Sequence, residues 1–348
     1  MMVERLAPEQ HDTLDNIPEP AENPNLFGHH ETITRLLSMQ TSGRLPHGLI
    51  LSGPTGIGKA TLAFHFARHL LSRQSGSDLA TVPIDGAIFR QVASGAHPAV
   101  LHLTRPLSET GKGFKTVLSV KEIRRIGRFL SHTSHDGGYR MVIVDSVDDM
   151  NTEAANALLK NLEEPPSRTV FILIAHARRP ILPTLRSRCQ VLKLDTLEAD
   201  DLSAALQSAG APLPDDPSPR QAIIEGANGS VRQAILLMRH GGVEIAGALD
   251  AAIRNARLDT LAANRLADQV AAKGKETAFT LLHDRALEML TEGASEAALR
   301  GELGRAERLS SSSESLRDAS REAMAYNLDR KQQALDLINA VHRAVHGG

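Results

Sequence analysis

Short apolar runs and helix-spaced apolar positions take turns along the first two hundred residues. Gly48-Leu49-Ile50-Leu51-Ser52, Ala99 to Leu103, Met141 to Val144, Val170 to Ala175 and Val191 to Leu194 are runs of strand length bounded by punctuating residues. That is the pattern of strands buried on both faces. Between them, Glu31 to Ser42 carries Ile33, Leu36, Leu37 and Met39 near helical spacing, with Gly43 as a stop. Lys59 to Ser72, Val120 to Leu130 (Ile123, Ile126 and Leu130 on one face) and Asn151 to Leu162 (Ala154, Ala157, Leu158 and Leu162 inward) share that period. Asn151 is placed to cap the last of these and Pro165-Pro166 to end it. Strands alternating with helices predict βαβ units and a mostly parallel sheet.

After Thr196 only helical patterns remain. Ala199 to Ala209, Arg220 to Glu225 and Ser230 to Met238 form a small group closed by Gly241-Gly242. Alanine-rich amphipathic stretches then run to the end, with an interruption expected at Ser310-Ser311-Ser312-Ser313. Leu328, Leu335, Leu337, Ile338 and Val341 are apolar positions near the end that need covering, most of them inside their own domain. The expected layout is a leader at 1–23, an α/β domain at 24–195, a helical lid at 196–240 and a helical domain at 241–348.

Composition narrows this picture. The 348 residues are enough for two or three domains with ample core. A net charge of −2 gives no global field toward DNA or an anionic membrane. An aromatic content of 3% without Trp argues against a base-stacking platform for single strands. The one cysteine, Cys189, excludes a disulfide framework and a multi-cysteine metal site, and fits a reducing cytoplasm. Residues 1–23 are polar, acidic and proline-bearing, which predicts a flexible leader and not a signal peptide. No apolar stretch has the length of a membrane span.

The chemistry concentrates in a few places. Gly53-Pro54-Thr55-Gly56-Ile57-Gly58-Lys59-Ala60 lies between a predicted strand and a predicted helix. In such a loop, Gly53, Gly56 and Gly58 let backbone N–H groups turn to phosphates, and Lys59 reaches the outer ones. Ala60 stands where a hydroxyl would ligate Mg²⁺, and Thr61 comes one residue late, turned by about 100° on the helix. ATP, ADP or nothing can fill such a loop; a plain glycine turn is the bland alternative. Asp145 ends a buried strand, where open α/β sheets place functional groups. Ser146 follows it where hydrolysis needs a second carboxylate to orient water. Asp148 and Asp149 read as solvated charges. His132 and His135 have metal-ligand spacing without partner ligands and read as loop residues. Arg124, Arg125 and Arg128 make a basic stripe that reads as a solvated helix face, with phosphate contact as the sharper option. Arg186 and Arg188 alone would be a surface pair.

Two longer runs change that last weighting. Asn156-Ala157-Leu158-Leu159-Lys160-Asn161-Leu162-Glu163-Glu164-Pro165-Pro166 and Leu185-Arg186-Ser187-Arg188-Cys189 closely resemble the bacterial clamp-loader family of AAA+ proteins. So do Leu26-Phe27-Gly28-His29, Gly229-Ser230-Val231-Arg232 and Tyr326-Asn327-Leu328-Asp329-Arg330-Lys331-Gln332. The resemblance implies an AAA+ P-loop NTPase fold with a small helical lid and an all-α collar domain. It implies gamma/tau and delta clamp-loader subunits, the sliding clamp and primer-template DNA as partners through the assembled complex. It gives Arg188 the role of an arginine finger for a neighbour's ATP site, and Arg232 a reach back to nucleotide. With Ala60 and Ser146 in its own site, no independent catalysis is expected of this chain within the polymerase III holoenzyme. The alternative is a catalytically active gamma/tau-type ATPase. Some family members carry a four-cysteine zinc module; residues 73–98 contain no cysteine, so no zinc is expected.

Overall fold

A computed structural model describes residues 5–72, 78–79, 82–111, 113–131, 137–176, 181–326 and 328–347. Five strands, β1 (Gly48–Ser52), β2 (Val100–Leu103), β3 (Arg140–Asp145), β4 (Thr169–Ala175) and β5 (Gln190–Lys193), form one sheet in the order β2-β3-β4-β1-β5. Every pairing is parallel, with Gly48 beside Phe171, Ser52 beside Ala175 and Lys193, and Asp145 beside Ile174. All the C-terminal strand ends therefore lie along one edge.

Both sheet faces are covered, so the strands read as continuous apolar runs. Leu49, Leu51, Met141, Ile143, Ile172 and Ile174 face one core with Leu62 and Phe66 of α2 (Lys59–Ser72) and Leu36 of α1 (His30–Thr41). Ile50, Val142, Val144, Phe171 and Leu173 face a second core. Ile123 and Ile126 of α4 (Val120–Ser131) and Ala154, Leu158 and Leu162 of α5 (Thr152–Glu163) pack there. The Asn151 side chain accepts the Ala154 N–H at 2.9 Å, the expected cap. One helix without a clear sequence period, α3 (Ala87–Ala93), buries Phe89 and Val92, and Arg68 stacks 4.8 Å from the Phe89 ring centre. Helices α6 (Pro183–Arg186) and α7 (Ala199–Ser208) flank β5 in sequence.

The remaining helices are α8 (Pro217–Ala227), α9 (Val231–His240), α10 (Gly242–Ile253), α11 (Thr260–Ala271), α12 (Glu276–Leu299), α13 (Leu303–Tyr326) and α14 (Arg330–His346). The chain divides into two compact units: Met1–Asp215 with Ala227–Arg232, and Asp216–Gly226 with Gln233–Gly348. The stretch expected as a lid, 196–240, is thus shared between them. The second unit has its own core, in which Leu249, Leu266, Leu282, Leu290, Ile338 and Val341 are buried. Leu337 is buried there as well, Leu335 is partly buried and Leu328 is exposed.

Two sequence expectations need correction. The serine run does not interrupt the last domain, because α13 passes straight through it. Ser312 Oγ donates to the Arg308 carbonyl at 2.8 Å, and Leu309, Ser313 and Leu316 form one buried face at helical spacing. The described part of the expected flexible leader, residues 5–23, is folded: Ala7, Glu19 and Ala21 are buried, and Ala21 belongs to the first core. Side-chain capture of backbone groups, which hydropathy does not register, holds it there. No helix among the described residues is long and apolar enough to cross a membrane.

Candidate functional site

Because the sheet is parallel, β1, β2, β3 and β4 deliver their following residues to one edge. The β1 end opens into the glycine loop, anchored by the Gly53 N–H on the Ala175 carbonyl at 3.2 Å. Gly53 lies so close to β5 that a Cβ there would stand 2.4 Å from the Leu194 carbonyl oxygen. Gly56 and Gly58 have φ of 79° and 98°, the left-handed region that glycine occupies without strain. The loop thus has the backbone of a phosphate cradle.

Its side chains are turned inward. Lys59 is 3% exposed; its Nζ donates to the Gly53 carbonyl at 2.8 Å and also to the Pro54 carbonyl. A β-carbon at Gly56 would meet Ser230 Oγ at 2.4 Å and the Arg232 Cβ at 2.5 Å. Ser230 Oγ donates to the Thr55 carbonyl at 2.9 Å. The Gly229-Ser230-Val231-Arg232 run therefore sits directly on the loop. Gly229, at a φ of 68°, has no room for a side chain, since a Cβ there would strike the Leu197 backbone at 2.5 Å. Ala60 is partly buried against the first core and offers no oxygen to a cation. Thr61 is half-buried on α2.

Asp145 lies at the end of β3 with His176, just past β4, 3.7 Å away through Nε2. Burial, then the nearby Asp12 carboxylate, pushes Asp145 up to about 7, against the opposite pull of Lys59. Ser146 is buried, and its Oγ has no hydrogen-bond partner among the described residues. A hydroxyl there cannot orient water as a carboxylate does. Asp148 and Asp149 are not the solvated charges expected. Asp148 Oδ2 accepts the His176 N–H at 2.6 Å, and Asp149 pairs with Arg105 just past β2. Short helical turns after β3 aim both carboxylates back at neighbouring strand ends. No group of three or more His, Cys, Asp or Glu able to hold a metal exists among the described residues. The loop fits a polyphosphate in backbone geometry, and Ala60 offers no side-chain oxygen to an accompanying cation.

Sequence reasoning missed several residues here. His29, itself in the left-handed region at φ 59°, meets the Ile57 carbonyl through Nε2 at 2.7 Å and pins the loop from outside. Burial lowers its pKa. His102 on β2 is lowered by burial to about 4 and meets Phe64 edge-on. His176 and Arg105 were findable in principle, since each follows the end of a strand recognised in sequence. Arg232 donates through Nη1 to the Asp12 carbonyl, and its ion pair with the Asp12 carboxylate is 3.5 Å long. Nothing in the sequence pattern points to that pairing.

Arg188 lies apart from this edge, between α6 and β5. Its Nη2 donates to Glu163 Oε1 at the end of α5 at 2.8 Å, and its Nη1 to the Thr184 carbonyl at 3.1 Å. The pair is open to solvent, with side-chain exposures of 36% and 50%. The next residue, Cys189, is buried, which pushes its thiol up to about 11. A buried anchor beside an exposed guanidinium fixes the backbone while leaving the cation reachable. Arg186 is exposed, and Arg124 and Arg125 lie on the exposed side of α4, where Arg125 pairs with Glu122 at 2.8 Å. His132 and His135 lie outside the described residues.

Residues 28–198 match the family described as DNA polymerase III, delta subunit. The DNA polymerase III subunit delta' of Pseudomonas aeruginosa is 34% identical over 51% of this chain and 52% of its own length. That of Escherichia coli is 30% identical over 58% of this chain and 61% of its own. A DNA polymerase III subunit gamma of Buchnera aphidicola is 28% identical over 64% of this chain and 58% of its own. The matches thus span about half to three-fifths of these relatives.

Proposed function

We propose that the chain is a member of the DNA polymerase III clamp-loader family and, within it, the delta-prime-type subunit. It loads no clamp alone. It stands in the loader as a fixed arm and projects Arg188 into the ATP site of an adjacent gamma/tau-type subunit. The first unit supplies the AAA+ module. The second unit supplies the collar contact with gamma/tau and delta subunits, beside the sliding clamp and primer-template DNA. Its own pocket binds ATP or ADP at most as a structural ligand and does not turn it over.

The observation that carries this reading is the contrast at single residues. Ala60 and the buried hydroxyl of Ser146 replace a metal ligand and a water-orienting carboxylate, whereas Arg188 keeps its full guanidinium at the surface. An arginine delivered across an interface supplies about 10³–10⁵ in rate by neutralising charge that develops on the transferred phosphoryl group. A hydrolytic gamma/tau-type role is the second reading, favoured by the likeness to the Buchnera gamma subunit.

Reconstitution with the other loader subunits, clamp and primed DNA tests this. With Arg188→Ala in this chain alone, turnover at the adjacent site falls by about 10³ or more while the complex stays assembled. An unchanged single-turnover rate in an intact complex overturns the trans role. ATP hydrolysis by the isolated chain, abolished by Lys59→Ala, would favour the second reading.

A further inference from the structure

The folded N-terminal segment leads from the α2 side of the sheet to the mouth of the nucleotide pocket. It is tied down at several points. Glu22 accepts the backbone N–H groups of Leu6, Ala7 and Glu19, the last two at 2.9 and 3.0 Å. Arg5 donates to the carbonyls of Leu14 and Ile17, both at 3.2 Å, and lies 3.8 Å from Glu19. Thr13 Oγ1 donates to Glu19 and accepts the Gln10 N–H. From the body of the domain, buried Arg68 donates to the carbonyls of Ala21 at 2.8 Å and Asn23 at 2.9 Å, and His65 meets the Asn23 carbonyl at 3.1 Å. A segment closed on itself and anchored at its far end presents its middle, His11 and Asp12, in one place.

That place is the pocket. Asp12 offers both its carbonyl and its carboxylate to Arg232, whose Cβ lies beside Gly56 of the phosphate loop. The Asp12 charge is felt by Asp145 and by His102, and the charges of Arg105, Asp149 and Arg232 are felt at the His11 ring. These groups come from the ends of β2 and β3 and from the lid-side run, the walls of the pocket just described.

We propose that residues 5–22 are a fitted cover of the nucleotide pocket, in which Asp12 holds Arg232 in place of a nucleotide phosphate. The chemistry is a competition of anions for one guanidinium. A phosphate is the stronger bidentate partner, but the tethered carboxylate is always present and costs no translational freedom. The carboxylate also places negative charge beside Asp145, where an incoming triphosphate would be repelled. The inference rests on reading residues 53–59 as a phosphate cradle and goes beyond the trans role of Arg188, which it neither needs nor tests.

The test is a fluorescence titration of the full chain with a mant-labelled ATP in EDTA, comparing wild type, Asp12→Ala and Glu22→Ala. Asp12→Ala removes the competing carboxylate. Glu22→Ala undoes the closure of the segment far from the pocket. A cover closed about nine-tenths of the time reduces apparent affinity by its open fraction, so both variants bind about tenfold tighter than wild type. Hydrogen exchange checks that Leu6 and Ala7 amides lose protection in Glu22→Ala while β1 and β3 keep theirs. Equal affinity of all three proteins overturns the proposal. So does an absence of binding by all three, since the segment then excludes nothing. In either case the Arg188 reading stands or falls on the turnover of the assembled complex.

Discussion

Lys59 at the pocket and Arg188 at the other edge are the same kind of group, a cation fit for phosphate, in opposite conditions. At the pocket, Lys59 is buried on loop carbonyls and Arg232 is taken by Asp12. At the other edge, Arg188 is held by a solvent-open carboxylate, the Thr184 carbonyl and the Ser187 hydroxyl. A cation knitted into buried bonds, as Lys59 is, is part of a structure, whereas the Arg232–Asp12 pair, with side-chain exposures of 28% and 47%, is nearly as open as that of Arg188. A cation in an open ion pair, worth about 0–1 kcal/mol, is released at little cost. On the proposed function, this is a nucleotide site turned into architecture while an arginine elsewhere stays available.

The strongest way to break that comparison is through Asp145. Its folded pKa of about 7 lies above the ordinary 3.8, so the native state holds the proton that the unfolded state has released. Stability from this group is therefore full below about pH 4 and lost as pH rises through 7. Three units amount to roughly 4 kcal/mol as an upper figure, lessened by the side chain's partial exposure. Asp145→Asn removes the loss. Urea midpoints at pH 5 and pH 8 should then differ less in the variant than in wild type, with the variant the more stable at pH 8. If both proteins show the same pH dependence, the pocket accommodates the ionised carboxylate, as a working cation site would.

Much of this arrangement was legible in sequence, for identifiable reasons. The strands are two-face buried, so their apolar runs are uninterrupted, and the glycine loop, Lys59 and Asp145 follow from lying at their ends. The Asn151 cap was readable because one side chain and one N–H three residues on decide it. The folded N-terminal segment was not, because it is held by Glu22, Arg5 and Arg68 on backbone groups and contributes almost no apolar periodicity. The serine run misled for the opposite reason: low propensity at Ser310–Ser313 is overridden by burial of Leu309 and Leu316 on either side. Pairings distant in sequence, Arg232 with Asp12 and Arg188 with Glu163, required the fold.

A second test concerns Lys59. If the lysine serves the loop's own structure, Lys59→Ala leaves two inward carbonyls without their donor, a loss of about 1–3 kcal/mol in chemical denaturation. If it waits for phosphate, the free protein's stability is almost unchanged and the loss appears only when nucleotide is present. Measuring unfolding with and without saturating ATP separates the two. The comparison predicts the first pattern in wild-type background and a partial shift toward the second in Asp12→Ala, where the pocket is uncovered.

The smallest effect is expected at the Arg188 edge, and its smallness is the content of the prediction. Glu163 and Arg188 form an exposed pair, so a double-mutant cycle of Glu163→Gln and Arg188→Ala should give a coupling below about 1 kcal/mol, reduced further in high salt. Glu163→Gln alone should leave the isolated chain folded and the assembled complex competent, because the arginine must leave Glu163 to reach a neighbour's phosphate. A coupling of 2 kcal/mol or more would place this pair among the strongly coupled interactions that ordinary exposed pairs do not reach. Arg188 would then be fastened to its own chain as firmly as Lys59 is, and the contrast between the two edges would disappear.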